Sequence, residues 1–544
     1  MYRLPVYTLR ELVVNSPAHY GHRPCVGWVG GEGTSYASFG MAALALAKRL
    51  RDEGLKPGDR VAILSENRPE WGVAYLAVTA AGLVAVPILT DFTQDQVRNI
   101  VTHAGCEAAI VSDKLKAKLG HTAKRVLPME GLVNNLPVPP ASPAELTALL
   151  AKAFPALPED QLAVIIYTSG TTGTSKGVML SHKNLVWDAW ATRSIIILRR
   201  NDRLLSVLPL AHTYECTIGF IGPFMQGCSM WYLDRPPTAS VLVPAMETVR
   251  PTVMCTVPLI IEKTYRLSVK PALEKIGLYK SPLFRKLLIR VAGKKLYKTF
   301  GGRLRFFGVG GAGLAADVEQ FLIDARFPYA IGYGLTETAP LIAGCAPFRT
   351  ALRSTGPALK GVDLRIADPD PATGDGEIQA RGPNVMAGYY QDPERTKEVF
   401  TEDGWFRTGD LGHFDKRGRL YIRGRLKAMI LGASGENIYP EEIESLLNAH
   451  EMVAESVVYG DDKGLAALVH LKPDIIEKIE AAVQDRLEDL GDMLEGIRKE
   501  VNAKLSSFSR IHKVHIQKEP FEKTPSQKIK RFLYPHKGDE QKKP

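Results

Sequence analysis

Residues 71–89 (WGVAYLAVTAAGLVAVPIL) are nineteen consecutive positions without a charge. A run of that length suffices for a membrane-spanning helix. Gly82 and Pro87 interrupt it, however, and its second half is rich in valine. A buried helix, a glycine turn and a buried strand account for it better than one continuous helix. The neighbouring sequence repeats the pattern. Residues 38–52 have helical periodicity and close at Gly54, Lys56-Pro57-Gly58-Asp59 leads into a strand at Arg60–Leu64, and a helix over 95–105 precedes a strand at 108–111. Strands alternating with helices of this length predict a mostly parallel sheet covered on both faces, an α/β fold.

A chain of 544 residues exceeds one domain. Residues 137–143 (PVPPASP) form a loop that resets the pattern, and residues 354–421 change to short strands and glycine-rich turns. After Gly424 the expected texture is α+β: a helix from Pro440, strands near Val457 and Ala466, and a long charged helix over 475–504. The expected organisation is a large N-terminal domain, 1–424, with a β-rich subdomain at about 354–423, and a small C-terminal domain, 425–544. At 45% hydrophobic and 24% charged residues the composition is globular and excludes a disordered or fibrous chain. A mean hydropathy of −0.08 excludes a polytopic membrane protein. Cys25, Cys106, Cys216, Cys228, Cys255 and Cys345 show no CxxC spacing, which argues against a zinc module or disulfide framework and for a reducing compartment. The first thirteen residues carry charges through any apolar core, so no secretory signal is read there. The expectation is a soluble, cytoplasmic protein.

Lysine and arginine number 69 against 59 acids, a net charge of +10. The excess is local. Between residues 275 and 305 stand ten basic residues (Lys275, Lys280, Arg285, Lys286, Arg290, Lys294, Lys295, Lys298, Arg303, Arg305) and no acid. Leu283, Phe284, Leu287, Leu288 and Val291 recur there at helical spacing, which reads as a basic amphipathic helix. Such a face suits an anionic lipid surface, hence peripheral contact with the inner face of a membrane, or an anionic substrate. The plainer reading is a solvated helix whose apolar side lies in the core. No aromatic-basic motif accompanies the charge, so nucleic acid is not an expected partner.

The segment richest in chemistry is Tyr167-Thr168-Ser169-Gly170-Thr171-Thr172-Gly173-Thr174-Ser175-Lys176-Gly177, directly after an apolar strand at 162–166. Placed between a buried strand and a helix, it offers close backbone approach, many N–H and hydroxyl donors and one cation, which is what a polyphosphate needs. It is not a Walker A loop, because Lys176 is followed by Gly177. The alternative is a plain turn.

This segment resembles the phosphate-loop signature of the adenylate-forming superfamily. Four more motifs follow in that family's order. Gly332-Tyr333-Gly334-Leu335-Thr336-Glu337-Thr338 is similar to its adenine and magnesium motif, and Gly404-Trp405-Phe406-Arg407-Thr408-Gly409-Asp410 to its ribose motif. Gly424-Arg425-Leu426-Lys427 resembles the hinge, and Thr524-Pro525-Ser526-Gln527-Lys528-Ile529-Lys530-Arg531 the catalytic-lysine motif. Leu208-Pro209-Leu210-Ala211-His212-Thr213-Tyr214-Glu215 and Ser434-Gly435-Glu436-Asn437-Ile438-Tyr439-Pro440 are similar to the long-chain fatty acyl-CoA synthetase branch. Two positions depart from the pattern: Ser175 where proline is commonest, and Gln527 where glycine usually precedes the lysine.

The resemblance implies a large domain and a mobile C-terminal domain hinged near Lys427. It also implies a ligase that activates a medium- to long-chain fatty acid with ATP and Mg²⁺ and transfers it to CoA. Thr168, Ser169, Gly170, Thr171, Thr172, Gly173 and Lys176 would hold the β- and γ-phosphates. Thr336 and Glu337 would sit at the α-phosphate, with Glu337, and Thr168 beside it, toward the metal. Asp410 would take the ribose hydroxyls, Arg425 the ribose or phosphate, and Tyr333, between Gly332 and Gly334, would pack on adenine. Gly311, Ala312 and Gly313 would line the adenine and acyl pocket. Lys528, with Lys523 and Lys530 as neighbouring candidates, would meet the α-phosphate and the carboxylate, and His212 would be a further catalytic residue. Taken singly, Asp410 reads as a turn aspartate, Glu337 as a surface carboxylate, Lys528 as a solvated charge and His212 as a core histidine. Three other readings stay open: an acyl-AMP ligase that loads a carrier protein, an aryl-acid CoA ligase, and a non-catalytic lipid-binding protein.

Overall fold

Helix Pro69–Ala80 begins on a proline, whose missing N–H costs nothing in a first turn, and all twelve of its residues are buried. It ends before Gly82, whose φ of +79° glycine adopts without strain. Strand Val84–Ile88 follows, buried throughout. The uncharged run is therefore helix, turn and strand, and among the described residues no helix is long and apolar enough to cross a membrane. The computed structural model describes residues 4–169, 175–431, 437–461, 464–480, 487–524 and 529–534.

Two large sheets carry the N-terminal part. The first orders seven strands as Gly388–Tyr389, Ser175–Ser181, Leu162–Ser169, Val84–Ile88, Arg60–Leu64, Cys106–Val111 and Arg125–Pro128. Its last five are parallel neighbours, and the first two run antiparallel at one edge. The second has eight strands. Its parallel centre is Tyr329–Gly334, Phe306–Val309, Val253–Thr256, Arg203–Ser206, Ser229–Tyr232 and Pro24–Trp28, and antiparallel Leu341–Gly344 and Gly33–Ser35 close the edges.

Side-chain alternation along the strands separates the layers. Val61 and Ile63 join a middle layer made by helices Leu9–Tyr20, Tyr36–Asp52, Pro69–Ala80 and His182–Ala191, which also receives Met230, Val253 and Phe306 from the second sheet. Ala62 and Leu64 face the opposite way, onto helix Gln94–Ala104. Met254, Phe307 and Val309 pack against Ala239–Val249, Pro282–Thr299 and Ala316–Asp324. The result is helix, sheet, helix, sheet, helix.

Strands Asp363–Ala367, Gly376–Arg381, Phe406–Phe414 and Leu420–Arg425 form a separate antiparallel sheet. Strand Gly388–Tyr389, from the same β-rich stretch, instead joins the edge of the first large sheet. Lys427 lies in the one-turn segment Leu426–Ala428 and is exposed. Beyond it, strands Val453–Asp461, Gly464–Leu471 and Ile511–Ile516 pack with helices Pro440–Asn448 and Leu487–Asn502 around Ile443, Leu447, Val469 and Ile497. Within the range expected as one long charged helix, Pro473–Glu480 and Leu487–Asn502 are helical and 481–486 lie outside the described residues.

Two expectations change. The glycine-rich loop does not join a strand to a helix: Leu162–Ser169 and Ser175–Ser181 are antiparallel partners, with Thr168 opposite Lys176. Thr168 and Lys176 thus sit on rigid strands, because Val178 and Leu180 alternate into the middle layer and hold the return strand there. The second change concerns the basic helix Pro282–Thr299. Its buried side is Ile289, Gly293 and Leu296, while Leu283, Phe284, Leu287 and Val291 are exposed.

The middle layer depends on a close approach at Gly72, where a Cβ would lie 2.5 Å from the ring of Phe220. Gly72→Ala is expected to lower the first thermal-unfolding midpoint of the wild-type chain. In a Phe220→Ala background, itself costing about 3–5 kcal/mol, the same change is expected to cost nothing further, because the ring it strikes is gone. Calorimetry of the four proteins checks this, and additive losses would contradict the contact.

Candidate active site

Four of the named segments lie beyond the carboxyl ends of parallel strands, where open α/β sheets bind ligands. Leu162–Ser169 leads to the glycine-rich loop, Arg203–Ser206 to His212, Phe306–Val309 to Gly311, and Tyr329–Gly334 to Thr336 and Glu337.

Lys176 reaches from the hairpin of the first sheet to Glu337, which follows the strand Tyr329–Gly334 of the second. Its Nζ lies 2.7 Å from Glu337 Oε1 and donates to the Tyr389 hydroxyl, also at 2.7 Å. That hydroxyl in turn donates to Glu337 Oε1 at 3.0 Å. Glu337 is buried. Burial pushes its carboxyl up, but the Lys176 ammonium and the hydrogen bonds from Lys176 and Tyr389 outweigh this and hold it below the usual glutamate range. Thr168, opposite Lys176 in the hairpin, has its hydroxyl oxygen buried without a hydrogen-bond partner among the described residues. A buried carboxylate and an orphaned hydroxyl fit Mg²⁺, which takes one or two protein oxygens and completes its shell with phosphate and water. No cluster of three metal-ligating side chains occurs among the described residues.

A second polar chain joins the large sheet to the separate antiparallel sheet. The Tyr333 hydroxyl donates to Asp410 Oδ2 at 2.6 Å, and Arg425 Nε lies 2.8 Å from Asp410 Oδ1. Asp410 and Arg425 are cross-strand partners, so the register sets their pairing. Tyr333 is buried between Gly332 and Gly334, and a Cβ on Gly334 would fall 1.7 Å from the Pro340 carbonyl oxygen. No side chain fits there.

Thr336 opens the one-turn segment Thr336–Thr338 and is half-buried. The segment is held from behind by Asn384, whose Nδ2 donates to the carbonyls of Thr338 and Leu341, both at 2.8 Å. Asp188 accepts from the Leu341 N–H at 3.2 Å. His212 is half-buried, and its Nδ1 accepts from the Tyr214 N–H at 3.2 Å. Asn67 fixes the approach to it, accepting from the Leu210 N–H at 2.8 Å and donating to Leu208 O and to Ser206 Oγ. Ser206 donates to Glu215 Oε1 at 2.6 Å. Burial, eased by that bond, pushes the Glu215 carboxyl up to about 8. Gly311, Ala312 and Gly313 form an exposed loop in which Gly311 has φ of +86°. Tyr214 packs beside the glycines that precede it, Gly308 and Gly310.

Gly170, Thr171, Thr172, Gly173 and Lys528 lie outside the described residues, as does the side chain of Ser169. Of the neighbouring lysines, Lys523 is paired with Glu455, and Lys530 Nζ lies 3.2 Å from Glu522. Tyr389, Asn384, Asp188 and Asn67 were not identified from sequence. Each belongs to no glycine-rich or charged motif and acts through a partner far away in the chain.

Breaking a buried ion pair leaves a charge without compensation, at a cost of about 3–5 kcal/mol. Lys176→Met is expected to destabilise the protein strongly at neutral pH. In the wild type, Glu337's depressed carboxyl contributes stability above the ordinary glutamate range that is lost as pH falls through its folded value. In the variant the Lys176 charge and its hydrogen bond are gone, burial outweighs the hydrogen bond left from Tyr389, and the carboxyl rises, so acid relieves the penalty. Unfolding midpoints measured against pH should show the wild-type advantage shrinking toward acid, and a gap independent of pH would contradict the pair. Tyr389→Phe is expected to move the acid limb of the same stability profile upward, because Glu337 loses a donor that favours its charged form.

A family model described as AMP-binding enzyme matches residues 14–390, and one described as AMP-binding enzyme C-terminal domain matches residues 427–534. The chain is 31% identical to peroxisomal long chain acyl-CoA synthetase 6 of Arabidopsis thaliana, over 91% of this chain and 79% of that one. It is 32% identical to the long-chain-fatty-acid–CoA ligase FadD15 of Mycobacterium bovis, over 91% of this chain and 89% of that one. Among solved structures, ATP-bound MatB from Rhodopseudomonas palustris superposes with a TM-score of 0.74 at 28% identity, covering 96% of this chain and 98% of its own. With both models in order along most of its length, the chain belongs to the AMP-binding enzyme family.

Proposed function

We propose that this protein is an ATP-dependent acid–CoA ligase that activates a medium- to long-chain fatty acid as acyl-AMP and passes the acyl group to CoA, releasing AMP and pyrophosphate. The observation that carries the reading is the paired Lys176 and Glu337 beside the orphaned Thr168 hydroxyl, at the end of a strand that leads into a glycine- and threonine-rich loop. The full-length relatives named for long-chain fatty acids support the substrate class.

A carboxylate cannot be acylated onto a thiol directly, because oxide is not a leaving group. Attack of the carboxylate oxygen on the α-phosphorus of ATP breaks the bond to pyrophosphate and leaves a mixed anhydride, from which AMP then departs as the thiol attacks. Negative charge gathers on the phosphate oxygens, so positioned cations and donors supply much of the catalysis. Mg²⁺, when bound, neutralises phosphate charge. In this reading Lys176 and the 168–173 segment bind the β- and γ-phosphates, and Glu337 and Thr168 hold the metal with Thr336 at the α-phosphate. Asp410 and Arg425 hold the ribose, and Tyr333 and the loop at Gly311 and Ala312 bound the adenine. Lys528 stabilises the reacting phosphate and carboxylate, and His212 lies at the acyl side. Thioester formation places the CoA sulfur where Lys528 acted, so the part of the chain beyond Lys427 swings between the two steps. Contact with a membrane on its cytoplasmic face belongs to this reading, since such an acid partitions into bilayers.

A second reading, an aryl-acid ligase, is favoured by one relative, 4-coumarate–CoA ligase 3 of Oryza sativa, at 28% identity over 96% of this chain. An acid panel distinguishes the two. With ATP, Mg²⁺ and CoA, decanoate or palmitate is expected to yield AMP, pyrophosphate and thioester in equal amounts, with benzoate and 4-coumarate poor. A reversed preference overturns the fatty-acid assignment. Lys528→Ala is expected to abolish acyl-AMP formation while sparing thioester formation from supplied acyl-AMP, and equal loss of both steps refutes its role. Asp410→Ala is expected to weaken ATP binding by calorimetry, and unchanged affinity removes it from the ribose site.

A further inference from the structure

Helix Pro282–Thr299 has two apolar faces. The inner face is fixed: Ile289 and Leu296 are buried, and Gly293 lies so close to the facing backbone that a Cβ would come 2.6 Å from that of Ala325. At 100° per residue, Leu283, Leu287 and Val291 then follow one another up the opposite side. They are 81%, 60% and 57% exposed, and Phe284 beside them is 41% exposed. Single exposed leucines are ordinary, but four apolar side chains over three successive turns of one helix are not.

Charge surrounds this stripe. Arg285, Lys286, Arg290, Lys294, Lys295 and Lys298 are all exposed. None of them makes an ion pair among the described residues, and the chain carries no acid from 275 to 305. By the same geometry Arg290, Lys294 and Lys298 continue the apolar stripe along the outward face. The first half of the face is therefore apolar and the second half cationic. The helix that precedes this segment adds Leu278, 55% exposed.

We infer that this face docks on an anionic lipid bilayer, with Leu283, Phe284, Leu287 and Val291 entering the headgroup–acyl boundary and the lysines and arginines over anionic headgroups. Apolar area and cationic charge on one helix face are the two terms that bind an interfacial helix, and each weakens when the other is removed. Charge complementarity decides the occupant, since a second copy of this chain would bring the same unpaired cations against themselves. The inference deepens the proposed function by naming the surface through which a membrane-borne acid is met, and it rests on that reading for its purpose only, not for the docking itself.

The test uses the full-length protein and vesicle flotation, with vesicles of phosphatidylcholine alone or mixed with phosphatidylglycerol. The wild type is expected to float with the mixed vesicles, to be released by added salt, and to ignore the neutral ones. The triple variant L283S/L287S/V291S and the triple variant K286Q/R290Q/K294Q are each expected to bind the mixed vesicles about tenfold or more weakly. All six positions are exposed, so unfolding midpoints and turnover of a short, water-soluble acid should be unchanged. Wild-type protein that does not bind, equal binding to neutral vesicles, or undiminished binding by either variant overturns the inference. So does a wild-type dimer, seen by light scattering, that the leucine variant dissociates without any loss of vesicle binding. Failure of the acid panel would leave the flotation result standing, and a failed flotation would leave the ligase reading standing.

Discussion

A half-buried ammonium and a buried carboxylate, Lys176 and Glu337, meet across the boundary between two sheets, and the geometry of the site follows from that meeting. Such a pair repays its desolvation only when further hydrogen bonds complete it. Tyr389 supplies them, accepting from the ammonium and donating to the carboxylate. The lysine stands on a hairpin whose apolar residues are locked in the middle layer, and the glutamate on a turn held from behind by Asn384. Neither end can drift without uncovering a charge. The pair therefore positions a cation and an anion at the place where two sets of strand ends converge, as the proposed site for a phosphate chain and its metal requires.

The same solution recurs at the next boundary. Tyr333 ends a strand of the large sheet, Asp410 and Arg425 are register partners in the antiparallel sheet, and the tyrosine hydroxyl closes the gap. Two short polar chains thus tie three sheets together around the carboxyl ends of the parallel strands. A third, running from Glu215 through Ser206 and Asn67 to the backbone of Leu208 and Leu210, sets the loop that carries His212. In each case burial gives the interaction its strength and completed hydrogen bonding makes burial tolerable.

Much of this was legible in the chain. Strand Arg60–Leu64 lies where the apolar run between a glycine turn and a polar stretch puts it, and the uncharged segment at 71–89 divides at Gly82 because that glycine takes a left-handed turn. What misled was local. The glycine-rich loop reads as a strand-to-helix connection, yet Ser175–Ser181 returns as a strand, because only the partner strand and the middle layer, not its own composition, decide that Val178 and Leu180 point inward. In the basic helix, Leu283, Leu287 and Val291 have the spacing of a core stripe, but Gly293 and the residues around it had already taken the inner face. A glycine within an otherwise regular helix was the available signal. Tyr389 had none: it sits in a two-residue strand and acquires its role from Lys176, 213 positions earlier in sequence.

The proposed chemistry begins at the α-phosphorus before any thiol is present. Its most direct measurement is the incorporation of labelled pyrophosphate into ATP by the purified protein with Mg²⁺ and a fatty acid, CoA being left out. Label should enter ATP only when the acid is supplied, because formation of the mixed anhydride is reversible. Exchange that proceeds equally well without the acid, or that never occurs until CoA is added, would contradict it.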